Sequence, residues 1–169
     1  MIRKYLVYLL LSCLLLTGCV PAQAWESSGK LTVVATLFPQ YDFARQIGGE
    51  HIQLHLLLPP GVESHSYEPT PADMVRLNQS DLFLYTGRYM EPWAERLSDT
   101  LEGDVTVVDV SQGIQLDEED DHEGHDHEAE SGHDHDDHGG YDPHIWTSPV
   151  NAMQMVETIR DAFCEAGGH

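Results

Sequence analysis

Basic residues are scarce in this chain: eight lysines and arginines stand against 29 aspartates and glutamates, a net charge of −21 at pH 7. That balance argues against a nucleic-acid partner, which needs a basic surface to displace counterions. Cysteine is nearly absent as well. Of three, Cys13 and Cys19 fall near the start, so Cys164 has no intramolecular partner and packing alone must hold the fold. Cys164 lies in a helical pattern and reads as a small buried hydrophobe rather than a nucleophile. Long apolar runs are limited to residues 5–16, too short and too close to the N-terminus for a stable membrane span. Catalytic signatures are missing too: there is no HExxH and no nucleophile elbow, so a metal-dependent hydrolase has no motif to stand on. The protein is read as a non-enzyme.

What is abundant is concentrated in one place. Residues 117–138 read DEEDDHEGHDHEAESGHDHDDH, six histidines among twelve carboxylates with no side chain larger than alanine among the apolar ones. Such a stretch cannot repay the entropy of ordering and is expected to be a disordered loop, bounded at about 115–141. Its content, imidazole and carboxylate at high density, is the donor set of borderline divalent metals. His122, His125, His127, His133, His135 and His138 are therefore candidate auxiliary metal ligands. A solvated acidic linker would have the same composition, and both readings stand at this point.

The N-terminus is a targeting segment. Arg3 and Lys4 precede the apolar run, which ends in Leu16-Thr17-Gly18-Cys19. That ending resembles the bacterial lipoprotein signal, in which the cysteine becomes the lipidated first residue; an ordinary secretory signal is the alternative. Either way the mature protein is expected outside the cytoplasm, and a lipid on Cys19 would hold it to the membrane without a spanning helix. Residues 1–18 are assigned as signal, 19–29 as tether and 30–169 as one lobe.

Within that lobe strands and helices alternate. Strands are expected at 31–36, 51–58, 81–85 and 105–110. Helices are expected at 40–47, at 71–78 with Thr70 as cap, at 91–101, and from 149 to about 166. In the last, Met153, Val156, Ile159, Ala162 and Phe163 share one face at helical spacing. This alternation predicts an α/β fold: a four-stranded parallel sheet flanked by helices on both faces. Ligands of such sheets bind beyond the carboxyl ends of the strands, where the loops 59–70 and 111–148 fall.

Two histidines outside the tract lie on those loops. His65 sits in Pro59-Pro60-Gly61-Val62-Glu63-Ser64-His65-Ser66-Tyr67-Glu68-Pro69-Thr70-Pro71, and His144 in Asp142-Pro143-His144-Ile145-Trp146. Prolines on both sides restrict the unfolded loops and so favour a preorganised ligand site. Asp142 and Glu68 are candidates for orienting the ring nitrogens that face away from a metal, against a reading of Asp142 as turn starter and Glu68 as solvated charge. Trp146 reads as a packing residue closing the lobe, and Phe38, Tyr41 and Phe43 as core or cleft wall.

These motifs, together with the lipobox and the histidine-rich insertion just ahead of Asp142, resemble the solute-binding lipoproteins of zinc and manganese ABC importers, zinc type. The resemblance covers nearly the whole mature chain. It implies that His65 and His144 are metal ligands, that the protein is one lobe of a bilobal metal-binding fold, and that it hands its ion to a membrane permease driven by a cytoplasmic ATPase. Imidazole donors favour Zn2+, with Mn2+ the second choice. Family members are close to twice as long and draw two further ligands from a second lobe, so this chain is expected to represent the first lobe, with the second absent. A stand-alone envelope metal buffer acting through the tract is the competing function.

Overall fold

Leu31-Thr32-Val33-Val34-Ala35 has no polar face to turn to water, and Val33, Val34 and Ala35 are fully buried. A strand apolar on both faces needs cover on both, and it receives it. The computed structural model describes residue 25, residues 28–116 and residues 141–167. Strands β1 (Leu31–Ala35), β2 (Ile52–Leu56), β3 (Leu82–Tyr85) and β4 (Thr106–Asp109) form one parallel sheet in the order β2-β1-β3-β4. The signal, the tract and Cys19 lie outside the described residues.

Helix α1 (Phe38–Gly48) returns the chain from β1 to β2, and α2 (Pro71–Asn78) from β2 to β3. Two short helices, α3 (Gly87–Met90) and α4 (Pro92–Ser98), precede β4, and α5 (Pro149–Gly167) closes the lobe. On one face Val33, Ala35, Leu82 and Leu84 pack with Ala44 of α1 and Met155, Ile159 and Ala162 of α5. On the other, Val34, Phe83 and Tyr85 pack with Leu77 of α2 and Trp93 and Ala94 of α4. The parallel, doubly covered sheet matches the expectation from alternation. Among the described residues no helix is long and apolar enough to cross a membrane.

Local chemistry explains the element ends. Thr70 caps α2 by accepting from the Asp73 amide while Asp73 accepts from the Thr70 amide, and Pro71 opens the helix. The α1 helix starts earlier than expected because Pro39, in its first turn, needs no amide partner there. The single helix expected at 91–101 is two. Pro92 bars its neighbour from helical angles, and Glu91 adopts φ −138°, ψ 66° between α3 and α4.

Two expectations for α5 are corrected. Met153 is exposed and Met155 is buried in its place, while Ile159 and Ala162 are buried as expected and Val156 and Phe163 partly so. Cys164 is exposed, not buried. At 100° per residue, a position two steps from Ala162 turns away from the sheet.

Candidate metal site

The order β2-β1-β3-β4 places a switch point between β1 and β3, because the chain leaves β1 toward one face through α1 and leaves β3 toward the other through α4. Both histidine loops gather at this carboxyl edge. Pro59, Pro60 and Val62 from the loop after β2, Phe38 from the start of α1, Met90 and Trp146 line one apolar cavity of about 310 Å³ there. Phe38 is largely exposed on its wall, Tyr41 and Phe43 pack against the core, and Trp146 is half-buried against the same core.

The loop carrying His65 is clamped from several directions. The Glu63 carboxylate accepts from the amides of His65 and Ser66, each at 2.7 Å, and from the Ser66 hydroxyl at 2.6 Å. Partial burial pushes the Glu63 carboxyl upward, but these hydrogen bonds outweigh it and hold the pKa down at about 2. Trp93 of α4 donates its indole N–H to the Ser64 carbonyl at 2.7 Å and packs edge-on against Tyr67 at 5.2 Å. Tyr67 donates in turn to Asp73 at 3.0 Å. His65 itself is half-buried.

His144 is oriented by its neighbour in sequence. Its backbone amide donates to Asp142 Oδ1 at 2.9 Å, and its ring Nδ1 lies 2.8 Å from the same oxygen. A carboxylate can only accept, so Nδ1 carries the hydrogen and Nε2 keeps the lone pair that a metal requires. The ring meets Trp146 edge-on at 5.4 Å and stays about half exposed. Three anchors seat the segment: buried Pro143 and Ile145, and Tyr141 against Tyr89 at 5.2 Å.

The structure thus brings the loops of His65 and His144 to one sheet edge. The six tract histidines and Cys19 lie outside the described residues. Among the described residues no group of three or more His, Cys, Asp or Glu is gathered where it could hold an ion. Asp142 touches His144 as sequence reasoning anticipated, whereas Glu68 is exposed and the turn around His65 is organised by Glu63. Glu63 had a signal in sequence, a carboxylate two and three residues ahead of the amides it caps. Trp93 had none, since it reaches Ser64 across 29 residues.

Comparison with known proteins identifies the family and the fold. Residues 33–168 match the family model for the periplasmic zinc-uptake complex component A, ZnuA. The high-affinity zinc uptake system protein ZnuA of Bacillus subtilis is 37% identical over 159 residues, covering 90% of this chain and 49% of that protein. The zinc-binding lipoprotein AdcA of Streptococcus pneumoniae is 36% identical over 162 residues, 90% of this chain and 30% of AdcA. Among solved structures, the metal-dependent lipoprotein YcdH of B. subtilis superposes with TM-score 0.66 at 33% identity, covering 82% of this chain and 46% of that one. The Zn(II)-bound ZnuA-like domain of S. pneumoniae AdcA gives 0.64 at 32%, covering 82% and 45%. The chain therefore spans about a third to a half of the curated relatives it matches. A parallel α/β lobe with paired histidine loops at its carboxyl edge, matched by the family model over residues 33–168, belongs to the ZnuA family of zinc-uptake components.

Proposed function

We propose that this chain is the metal-receiving lobe of an extracytoplasmic component of an ABC-type zinc importer, tethered to the membrane by a lipid on Cys19. His65 and His144 ligate Zn2+, and the ion passes to a permease and its ATPase. The observation that carries this reading is the pairing of His144 with Asp142, which leaves Nε2 available at the same sheet edge as the clamped His65 loop. Relatives named for zinc binding and zinc uptake support it.

Two neutral imidazoles fill half of a tetrahedral zinc shell, so water or donors from beyond these two loops complete it. The tract acts upstream, collecting ions at low affinity and raising their concentration beside the lobe. Nothing in this function requires catalysis; the protein binds, holds and releases.

The test is a zinc titration of the chain lacking residues 117–139, with and without His65→Ala. Stoichiometric binding lost in the His65 variant supports the lobe as receptor. Binding that vanishes with the tract and ignores His65 supports the stand-alone buffer instead.

A further inference from the structure

Glu91 is a carboxylate with nowhere to put a charge. It is fully buried at the switch point, where Thr36 leaves β1 and Thr86 leaves β3. Its Oε2 accepts from the Thr86 amide at 2.6 Å, while Oε1 has no hydrogen-bond partner. Beside it Gln40 donates Nε2–H to the Thr36 hydroxyl at 2.6 Å, which leaves Gln40 Oε1, also buried, without a donor. Thr86 Oγ1 is buried and unpartnered as well, so a single free hydroxyl stands against two oxygens that can only accept, Glu91 Oε1 and Gln40 Oε1, and the cluster is one donor short. Buried acceptors of this kind are normally satisfied, and a buried carboxylate is normally paired with a cation.

Among the described residues no cation is paired with it. The charged group that acts on Glu91 is Asp109 of β4, of the same sign. Tyr85, at the end of β3, is the other titratable group that feels it, and Arg88 of α3 is paired with Glu95 of α4 at 3.0 Å. From α1 the cluster receives only the neutral Gln40.

The backbone of Glu91 joins α3 to α4: its amide donates to the Gly87 carbonyl at 2.9 Å, and its carbonyl accepts from the Ala94 amide at 2.9 Å. Within that first turn, Trp93 holds Ser64, the neighbour of His65. We propose that Glu91 is a positioning residue carried as a neutral carboxylic acid, whose proton supplies the missing donor of this buried cluster. It thereby locks the first turn of α4 and, through Trp93, the loop of His65. Burial, opposed by the neighbouring Thr36 hydroxyl and by the Thr86 amide and hydroxyl, pushes the Glu91 pKa up to about 7, in keeping with this state. The loop of His65, and with it any metal the loop holds, is therefore held best before Glu91 loses its proton. The consequence for metal rests on the functional reading above; the proton and the loop do not.

The experiment needs no metal. Infrared difference spectra of the full chain and Glu91→Gln at pH 6 report a protonated carboxyl, and the Trp93 indole N–H signal, assigned with Trp93→Phe, is followed by NMR from pH 5.5 to 8.5. In the wild type an acid carbonyl band is expected at pH 6 and lost by pH 8.5, while the Trp93 signal moves with a midpoint near 7. Glu91→Gln, neutral and able to donate, should show neither change and keep the Trp93 signal at its low-pH position. Absence of the band at pH 6, or a Trp93 titration that persists in Glu91→Gln, overturns the proposal. Should that variant fail to fold, the pH 6 minus pH 8.5 difference spectrum of the wild type decides: an acid carbonyl band lost between the two supports the proposal, and none overturns it.

Discussion

Replacing Trp93 by phenylalanine isolates the clamp on the metal loop. Phenylalanine keeps an aromatic ring against Tyr67 but removes the indole N–H that reaches the Ser64 carbonyl at 2.7 Å. A net hydrogen bond of this kind contributes about 1 kcal/mol, and half-buried Ser64 can recover water at its carbonyl, so the larger penalty of an orphaned acceptor does not apply. The smaller ring leaves a gap in a cluster where Trp93 is only 6% exposed, adding about 1 kcal/mol. Global unfolding in urea should therefore lose roughly 2 kcal/mol. The loop-specific share is the diagnostic one: exchange of the His65 and Ser66 amides, both held by Glu63, should quicken about fivefold, the equivalent of 1 kcal/mol. Trp146→Phe, on the opposite core cluster, should leave those amides alone. A urea midpoint that falls while the loop amides keep their rates would refute the reasoning, because Trp93 would then be a filler of the core and not a clamp.

Other outcomes follow from the same geometry. Asp142→Asn should weaken zinc binding by the tract-deleted chain about 10- to 100-fold in titration calorimetry, since the amide no longer fixes the His144 tautomer; unchanged affinity would show that the ring needs no orienting partner. Zinc held by the tract should weaken steeply between pH 7.5 and 5.5, because imidazoles must be neutral to bind and the surrounding carboxylates favour their protonated form; a peptide of residues 117–138 whose affinity is flat across that range would contradict this. Glu91 has its pKa raised in the fold, so the folded state holds a proton that the unfolded chain releases above about 4.5. Its stabilisation is complete below that pH and fades as pH rises toward 7, so wild type minus Glu91→Gln stability in urea should decline by about 3 kcal/mol from pH 4.5 to 8. Gly87→Ala should lower the melting temperature clearly: the glycine has φ +77°, and an added Cβ would strike the Ser111 hydroxyl.

The sequence alone determined the class of fold, because period, capping and breaker residues act over a few positions. Apolar strands between helices forced a doubly covered parallel sheet, and Thr70 with Pro71 placed the start of α2. It also singled out His65 and His144, since local motifs of proline, carboxylate and imidazole are visible without a fold, and the Asp142–His144 contact spans only two residues. Tertiary structure decided what distance in sequence hides. On α5 Met155 rather than Met153 joined Ile159 and Ala162 in the buried stripe, and Cys164 turned outward, because several faces of that helix are partly apolar and only docking on the sheet selects one. Trp93 reaches Ser64 from 29 residues away, and Glu91 meets Thr36 only because β1 and β3 became neighbours. Strand order created the switch point, and with it the low-dielectric setting in which a glutamate, unremarkable in sequence, holds a proton near neutral pH.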